Sequence, residues 1–258
     1  VNTVRPTVAV TALSNSLKAG ETTTVSFTVS ETVSDFVAGD VTFSGGDLTI
    51  FAGSGTSYTA TFTPTANSTA NGVISVASTK FTNAAGNQNN DGSDANNTKT
   101  FSVDTVLPTI ALVPNKTLLK ADATAIITIT LSESSTDFAV ADLDVTGGTF
   151  SGFSGSGTSY SVTFTPNAPT GSVSVASGKF SDAAGNQNAD GSEANNALAF
   201  NYDTTPPVIA VTSDKSALKA GETSTLTFTL SETSVLNVLV APRAICPLNS
   251  VRPAASDT

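Results

Sequence analysis

The sequence predicts an all-β protein built from tandem β-sandwich domains, and three observations point to this class. Short runs alternate β-branched or aromatic residues with polar ones, which is the period of a half-buried strand. Glycine or proline interrupts these runs about every ten residues, a spacing that disfavours long helices. Apolar residues make up 39% of the chain and charged residues only 12%, which is enough for packed cores but too few charges for amphipathic helices.

A sequence motif also recurs along the chain, with a period near 100 residues. Its proline returns after 102 and then after 99 residues, at Pro6, Pro108 and Pro207. The three-residue difference falls between Pro166 and Phe180, in a polar stretch that is typical of a surface loop. Such a period is too long for a solenoid repeat and matches one immunoglobulin-like sandwich. We therefore predict tandem immunoglobulin-like seven-strand β-sandwiches.

The first repeat contains seven candidate strands, of which the second, B, is the clearest. Val25, Phe27 and Val29 alternate with polar residues over 22–30 and mark one buried face. The other strands are predicted over 7–11 (A), 41–43 (C), 48–51 (D), 58–62 (E), 73–76 (F) and 98–103 (G), with a turn over 14–20. We expect phenylalanines to fill the core, namely Phe27, Phe43, Phe62 and Phe101, with Phe164 and Phe200 in the second repeat.

The repeat also sets the domain boundaries. Repeat 1 covers residues 1–103, repeat 2 covers 104–202, and a third repeat over 203–234 retains strands A and B only. Residues 235–258 leave the pattern and contain the only cysteine, Cys246, which indicates a shifted reading frame; a functional tail peptide is the alternative. Because two strands cannot bury a core, the third unit is not expected to fold alone, and its exposed edges favour aggregation.

Composition excludes several classes of function. The net charge of −10 disfavours nucleic acid and anionic membranes as partners, and no apolar run is long enough to cross a bilayer. The chain has no histidine for acid–base catalysis, and its paired acids recur in both repeats, which is improbable for an active site. We predict a protein that is monomeric and not an enzyme.

Acidic residues concentrate at one end of each predicted sandwich. Strand alternation places the incoming linker, the B–C connection and the F–G connection at this linker-facing end. In repeat 2 these segments carry seven carboxylates: Asp104, Glu133, Asp137, Asp142, Asp182, Asp190 and Glu193. Their mutual repulsion would be relieved by a hard divalent cation such as Ca²⁺.

Two further observations bear on this cation site. Asp and Asn are also ordinary turn residues, and Lys18 of the preceding domain is available to pair with some of the acids without metal. In repeat 1, Asn2 and Asn83 stand where repeat 2 has Asp104 and Asp182. We therefore expect the end of repeat 1 to bind metal more weakly than the end of repeat 2.

Several motifs together resemble the bacterial Ig-like repeats of large type I-secreted, biofilm-associated (RTX-type) surface adhesins. They are the linker Asp-Thr-x-x-Pro, the segment Leu131-Ser132-Glu133, and Asp182-Ala183-Ala184-Gly185-Asn186, and the similarity covers residues 1 to about 234. The resemblance implies a non-enzymatic extender on the bacterial cell surface, outside the cell, with Ca²⁺ bound at domain junctions.

The resemblance also implies partners and metal ligands. The expected partners are neighbouring repeats of the same chain, together with host or biofilm surface ligands. The metal-ligand candidates are Asp104, Glu133, Asp142 and Asp182, with Asp203 and Glu232 in the third repeat and Glu31 and Asp40 in the first. The alternative function is a ligand-binding adhesive module that recognises a glycan or another host surface.

Overall fold

The computed structural model describes residues 2–91, 94–120, 122–189, 194–203 and 205–232. The chain forms two compact units, Val1–Thr204 and Thr205–Thr258, and each is described by itself. Within the described residues every regular element is a β-strand or a three-residue 3-10 turn. No helix in this part of the chain is long and apolar enough to cross a membrane.

Repeat 1 is a two-layer sandwich. Its strands are β1 (Val8–Ala12), β2 (Ser16–Lys18), β3 (Thr23–Val33), β4 (Val41–Ser44), β5 (Gly46–Pro64), β6 (Gly72–Val76) and β7 (Thr98–Asp104). One sheet has the order β1-β3-β5 and the other the order β2-β7-β6-β4. The 3-10 turns lie at Ala38–Asp40 and Ala95–Asn97.

Repeat 2 reproduces the same plan. Its strands are β8 (Ile110–Pro114), β9 (Leu118–Lys120), β10 (Ala125–Ser135), β11 (Asp144–Thr146), β12 (Gly148–Pro166), β13 (Thr170–Ser174) and β14 (Ala197–Asp203). The sheets have the orders β8-β10-β12 and β9-β14-β13-β11. The 3-10 turns lie at Val140–Asp142 and Ala194–Asn196. The prediction of tandem immunoglobulin-like sandwiches is therefore confirmed.

Two local predictions differ from the structure. The predicted turn over 14–20 contains β2, which pairs in parallel with β7 because Leu17 is buried against the core. The predicted strands D and E form one continuous extended segment, β5, which doubles back on itself. Thr65 N donates to Gly45 O across the doubled segment, and Gly53 lies against the carbonyl of Ser57 near its bend.

Each sandwich has its own aromatic core. Phe62 and Phe101 stack with ring centroids 4.9 Å apart, and Phe164 and Phe200 stack in the same way at 4.7 Å. Phe27 is also fully buried, as predicted. The prediction for Phe43 is wrong: its side chain is 42% exposed, because β4 is an edge strand with a neighbour on one side only.

The glycine pair before β5 is required by this core. Gly45 has a φ of +74°, and a Cβ at Gly46 would lie 2.7 Å from the ring of Phe62. In repeat 2, Gly147 has a φ of +62°, and a Cβ at Gly148 would collide with the ring of Phe164. In each pair the first glycine adopts a left-handed backbone and the second leaves room for the stacked aromatic rings, so the repeated Gly-Gly is a packing signal.

The second unit contains a single two-stranded pair within its described residues. β15 (Ile209–Ser213) and β16 (Leu226–Leu230) are antiparallel, and the apolar side chains of Ile209, Val211 and Phe228 are all more than half exposed. This agrees with the expectation that two strands bury no core. The predicted non-repeat tail over 235–258 lies outside the described residues.

Candidate cation site at the junction of the two sandwiches

Three of the predicted ligands converge at the linker-facing end of repeat 2. Asp104 is the last residue of β7, Glu133 lies near the end of β10, and Asp182 opens the F–G connection. Each offers one carboxylate oxygen, and the three oxygens all lie within 4.8 Å of one another. Asp182 is buried and the other two are half-buried. We call this group the junction triad.

Tight turns hold two members of the triad in place. Asp182 accepts hydrogen bonds from Asn186, at 2.9 Å from its backbone N–H and at 2.8 Å from its side-chain amide. Asp104 accepts a hydrogen bond from the backbone N–H of Val106 at 3.2 Å. Such side-chain-to-backbone bonds are the usual reason that Asp stands in turns. The remaining lone pairs of both carboxylates stay available to a ligand.

The triad concentrates negative charge. Burial raises the pKa of Glu133, and the nearby charges of Asp104 and Asp182 and a hydrogen bond with Asp182 raise it further. A raised carboxyl pKa means that this site disfavours the ionised form of Glu133 relative to water. A cation bound among the three oxygens would reverse this effect.

The geometry fits a hard divalent cation. Calcium binds oxygen at about 2.3–2.6 Å, so two ligands on opposite sides of one ion lie up to about 5 Å apart. The 4.8 Å limit within the triad falls inside this span. The donors are all carboxylate oxygens, which suit Ca²⁺ and not the softer metals that prefer imidazole or thiolate.

Asn186 is a central residue of the junction that sequence reasoning missed. It is buried, and its side-chain amide donates to the backbone oxygen of Asp104 at 3.0 Å as well as to Asp182. Its side-chain oxygen accepts the backbone N–H of Ala19 in repeat 1 at 2.8 Å. The recurrence of Asp/Asn-x-x-x-Asn at Asn83–Asn87 was the available signal.

The side chain of Lys18 also contacts the junction, but it bonds to a backbone carbonyl and not to a carboxylate. Its ammonium group donates to the carbonyl oxygen of Gly185 at 3.1 Å, in the F–G connection of repeat 2. The sequence had offered Lys18 as a partner for the acids themselves. In the structure it adds a link between the sandwiches beside the triad.

The other predicted acids have local structural roles. Asp40 and Asp142 each cap a 3-10 turn, accepting the backbone N–H of Val37 at 2.9 Å and of Ala139 at 2.8 Å, and neither belongs to the triad. Burial alone would raise the pKa of Asp137, but hydrogen bonds from Ser135 and Ser181 outweigh it and lower that pKa. Asp190 and Glu193 lie outside the described residues.

The equivalent end of repeat 1 is closed by amides. The side-chain amide of Asn2 donates to one carboxylate oxygen of Glu31 at 3.1 Å, and Asn83 donates to the carbonyl of Val4 at 3.0 Å. Asn87 donates to the backbone oxygen of Asn2 at 2.9 Å. The second oxygen of Glu31 is buried without a hydrogen-bond partner. Weaker metal binding at this end stays a prediction.

The predicted third site remains untested. Asp203 ends β14 in the first unit and is exposed, whereas Glu232 follows β16 in the second unit. Their proposed role as counterparts of Asp104 and Glu133 therefore stays a prediction from the repeat.

Three solved structures are remotely similar to this chain. An adhesin of Escherichia coli, FdeC, is 15% identical with a TM-score of 0.44, over 76% of this chain and 64% of that one. Invasin, described as a bacterial integrin-binding protein, is 10% identical with a TM-score of 0.42, over 79% and 42%. The I9–I11 tandem of titin is 8% identical with a TM-score of 0.34, over 79% and 69%.

The chain thus spans less than two thirds of the length of the first two of these structures. No curated protein matches it. The family comparison is decisive, because the bacterial Ig-like domain matches residues 2–100 and again residues 104–199. These two matches coincide with the two sandwiches, and the chain belongs to the bacterial Ig-like domain family.

Proposed function

We propose that the two sandwiches are a non-enzymatic extender segment of a bacterial cell-surface adhesin, in which Ca²⁺ bound by the junction triad fixes the angle between neighbouring domains. The observation that carries this proposal is the meeting of Asp104 with Glu133 and Asp182. Family membership and the tandem arrangement support the placement on a bacterial surface. Type I secretion and a role in biofilms belong to the same proposal.

The origin of the three ligands explains why a cation would act on domain orientation. Asp104 ends a strand that is hydrogen-bonded within repeat 1, where it is in register with Lys18. Glu133 and Asp182 belong to repeat 2. A single ion held by all three therefore joins the two sandwiches through carboxylates on opposite sides of the linker.

The charge on the triad gives the cation its effect. Without a counter-charge, ionised Asp104 and Asp182 disfavour the ionised form of Glu133, which favours separation of the linker from repeat 2. With Ca²⁺ bound, the same three groups attract one ion. The junction is then expected to be stiff in calcium-rich surroundings and looser in a chelator.

The test is a calcium titration of the full chain prepared in EDTA. We expect calorimetry to detect binding, and we expect a stabilisation of about 1.4 kcal/mol at a free Ca²⁺ concentration of about ten times the Kd. The double variant Asp104→Asn/Asp182→Asn should lose both effects. Asp144→Asn, which removes the same type of charge from an exposed position on β11, is the matched control.

Two outcomes would contradict the calcium proposal. One is a wild-type chain whose melting temperature and interdomain distances are the same in EDTA and in millimolar Ca²⁺. The other is an Asp144→Asn variant that loses as much calcium affinity as the double variant, which would indicate diffuse binding to the acidic surface.

A ligand-binding adhesive module is the second candidate function. It is favoured by a cavity of about 570 Å³ beside the linker, lined in part by Ala19, Pro64 and Leu107, which has the size of a small-ligand site. Specific binding of residues 1–202 on a glycan array would favour this candidate. An array without specific binding, together with a calcium response, would favour the extender.

A further inference from the structure

We propose that Thr105 is a positioning residue that holds the linker on repeat 1 without any cation, so that bending between the sandwiches is confined to Val106 and Leu107. This inference is independent of calcium binding, because it rests on hydrogen bonds that involve no carboxylate. It gives the loop between β5 and β6 the role of holding the linker, whereas the sequence had indicated only that this loop tolerates changes of length.

Thr105 is a polar residue that lies just after the last strand of repeat 1, and it is nevertheless buried. Only 5% of it is exposed. Its hydroxyl donates to the carbonyl of Thr65 at 2.7 Å and accepts the backbone N–H of Ser68 at 2.9 Å. Its own backbone N–H donates to the carbonyl of Ser68 at 2.9 Å. The hydroxyl and the backbone N–H of Thr105 are therefore both hydrogen-bonded to the β5–β6 loop.

The loop that receives Thr105 is the one that differs in length between the repeats. Pro64 and Phe81 are separated by three more positions than Pro166 and Phe180, their counterparts in repeat 2. The loop is itself held in place, because Thr65 donates to the carbonyl of Gly45 at 3.0 Å. The loop that holds Thr105 is thus itself hydrogen-bonded to the residue that precedes β5.

The linker is anchored to repeat 2 only two residues later. Ala189 donates its backbone N–H to the carbonyl of Pro108 at 3.0 Å, and Thr109 donates to the hydroxyl of Ser132 at 2.8 Å. Between these anchors, Val106 bonds only to the side chain of Asp104, and Leu107 is 40% exposed. Leu107 also precedes a proline, which restricts it to extended conformations. The bending segment is therefore short and already stiff.

The test compares two variants of Thr105 with wild type by measuring the distance between the sandwiches. Spin labels at Ser57→Cys and Ser159→Cys, equivalent exposed positions in repeats 1 and 2, are attached in a Cys246→Ser background and read by pulsed electron resonance. Thr105→Val keeps the shape and removes the hydroxyl. We expect its distance distribution to be broader than that of wild type, both in EDTA and in Ca²⁺. Thr105→Ser should keep the wild-type width in each condition, because the hydroxyl remains.

Two further variants test whether the effect comes from the bonds between Thr105 and the β5–β6 loop. Thr100→Val, at an exposed position of the strand that precedes Thr105, controls for the general effect of replacing Thr by Val and should match wild type. A chain with the β5–β6 loop shortened to the length found in repeat 2 should behave like Thr105→Val. A Thr105→Val distribution that superimposes on wild type in EDTA would overturn the proposal. Absence of any calcium effect alongside a clear Thr105→Val effect would overturn only the calcium proposal.

Discussion

The linker-facing end of repeat 1 is closed by the side-chain amides of Asn2 and Asn83, whereas the same end of repeat 2 brings together Asp104, Glu133 and Asp182. The backbone around the two ends is alike. Asn83 accepts the backbone N–H of Asn87 at 3.0 Å, and Asp182 accepts that of Asn186 at 2.9 Å. The same type of turn therefore accommodates Asn in repeat 1 and Asp in repeat 2.

The difference between the ends lies in one chemical group at two positions. An amide NH₂ group donates hydrogen bonds, so the side chain of Asn2 directly satisfies one carboxylate oxygen of Glu31. A carboxylate cannot donate, so Asp104 adds negative charge beside Glu133 and helps to raise the pKa of Glu133. We therefore expect the near-isosteric exchange of Asn and Asp at these two positions to decide whether a junction binds a cation.

The largest effect is expected from removing the amide that links the junction. Asn186→Ala deletes bonds to Asp104, Asp182 and Ala19 and leaves buried groups unpaired, which is expected to cost about 1–3 kcal/mol. Asn87→Ala deletes bonds from a half-buried side chain and should cost less. Denaturant unfolding of both variants measures this. Equal losses would show that the two ends depend on their amides to the same degree.

The next effect comes from converting the first end into the second. Asn2→Asp/Asn83→Asp places three carboxylates at the linker-facing end of repeat 1, and the variant should melt at a lower temperature in EDTA and gain a calcium response. The gain expected at ten times Kd is about 1.4 kcal/mol. Calorimetric titration should show one more bound Ca²⁺ than wild type. An unchanged stoichiometry would mean that these two positions do not decide metal binding.

The smallest effect is a pH dependence that comes from Glu133 in repeat 2. The pKa of Glu133 is raised in the folded protein, so the folded state binds a proton more tightly than the unfolded state, and stability in EDTA falls as pH rises through the window above 4.5. Glu133→Gln should remove this dependence and raise the melting temperature in EDTA at pH 7. Glu31→Gln is the matched change in repeat 1. A melting temperature raised equally by both changes would argue against charge crowding at Glu133.

Much of the fold was predictable because its signals repeat. Strand alternation and the recurring prolines gave the sandwiches, and the pairing of Gly45-Gly46 with Gly147-Gly148 reflects packing that both cores share. The strand β2 was missed because a three-residue element with one buried residue, Leu17, has no detectable period. Phe43 was misplaced because alternation identifies a face but not whether an edge strand is covered on that face.

The candidate site was predictable at the level of which segments meet. Strand direction placed the linker and the F–G connection together, and Asp104 and Asp182 do lie together. Which acids face the junction was not predictable from the sequence, because the hydrogen bonds that orient each carboxylate depend on the local backbone geometry. Asp142 bonds to its own 3-10 turn, whereas Asp104 ends a strand that leads into the neighbouring domain.

The parallel pairing of β2 with β7 has a mechanical consequence. Ser16, Leu17 and Lys18 are in register with Ser102, Val103 and Asp104, so the strand that leaves the domain is bonded to one near its beginning. Tension along the chain pulls these two strands in opposite directions along their length. The bonds between them then resist together in shear and do not open one at a time. A domain with this strand arrangement is expected to resist unfolding when it is pulled from its two ends.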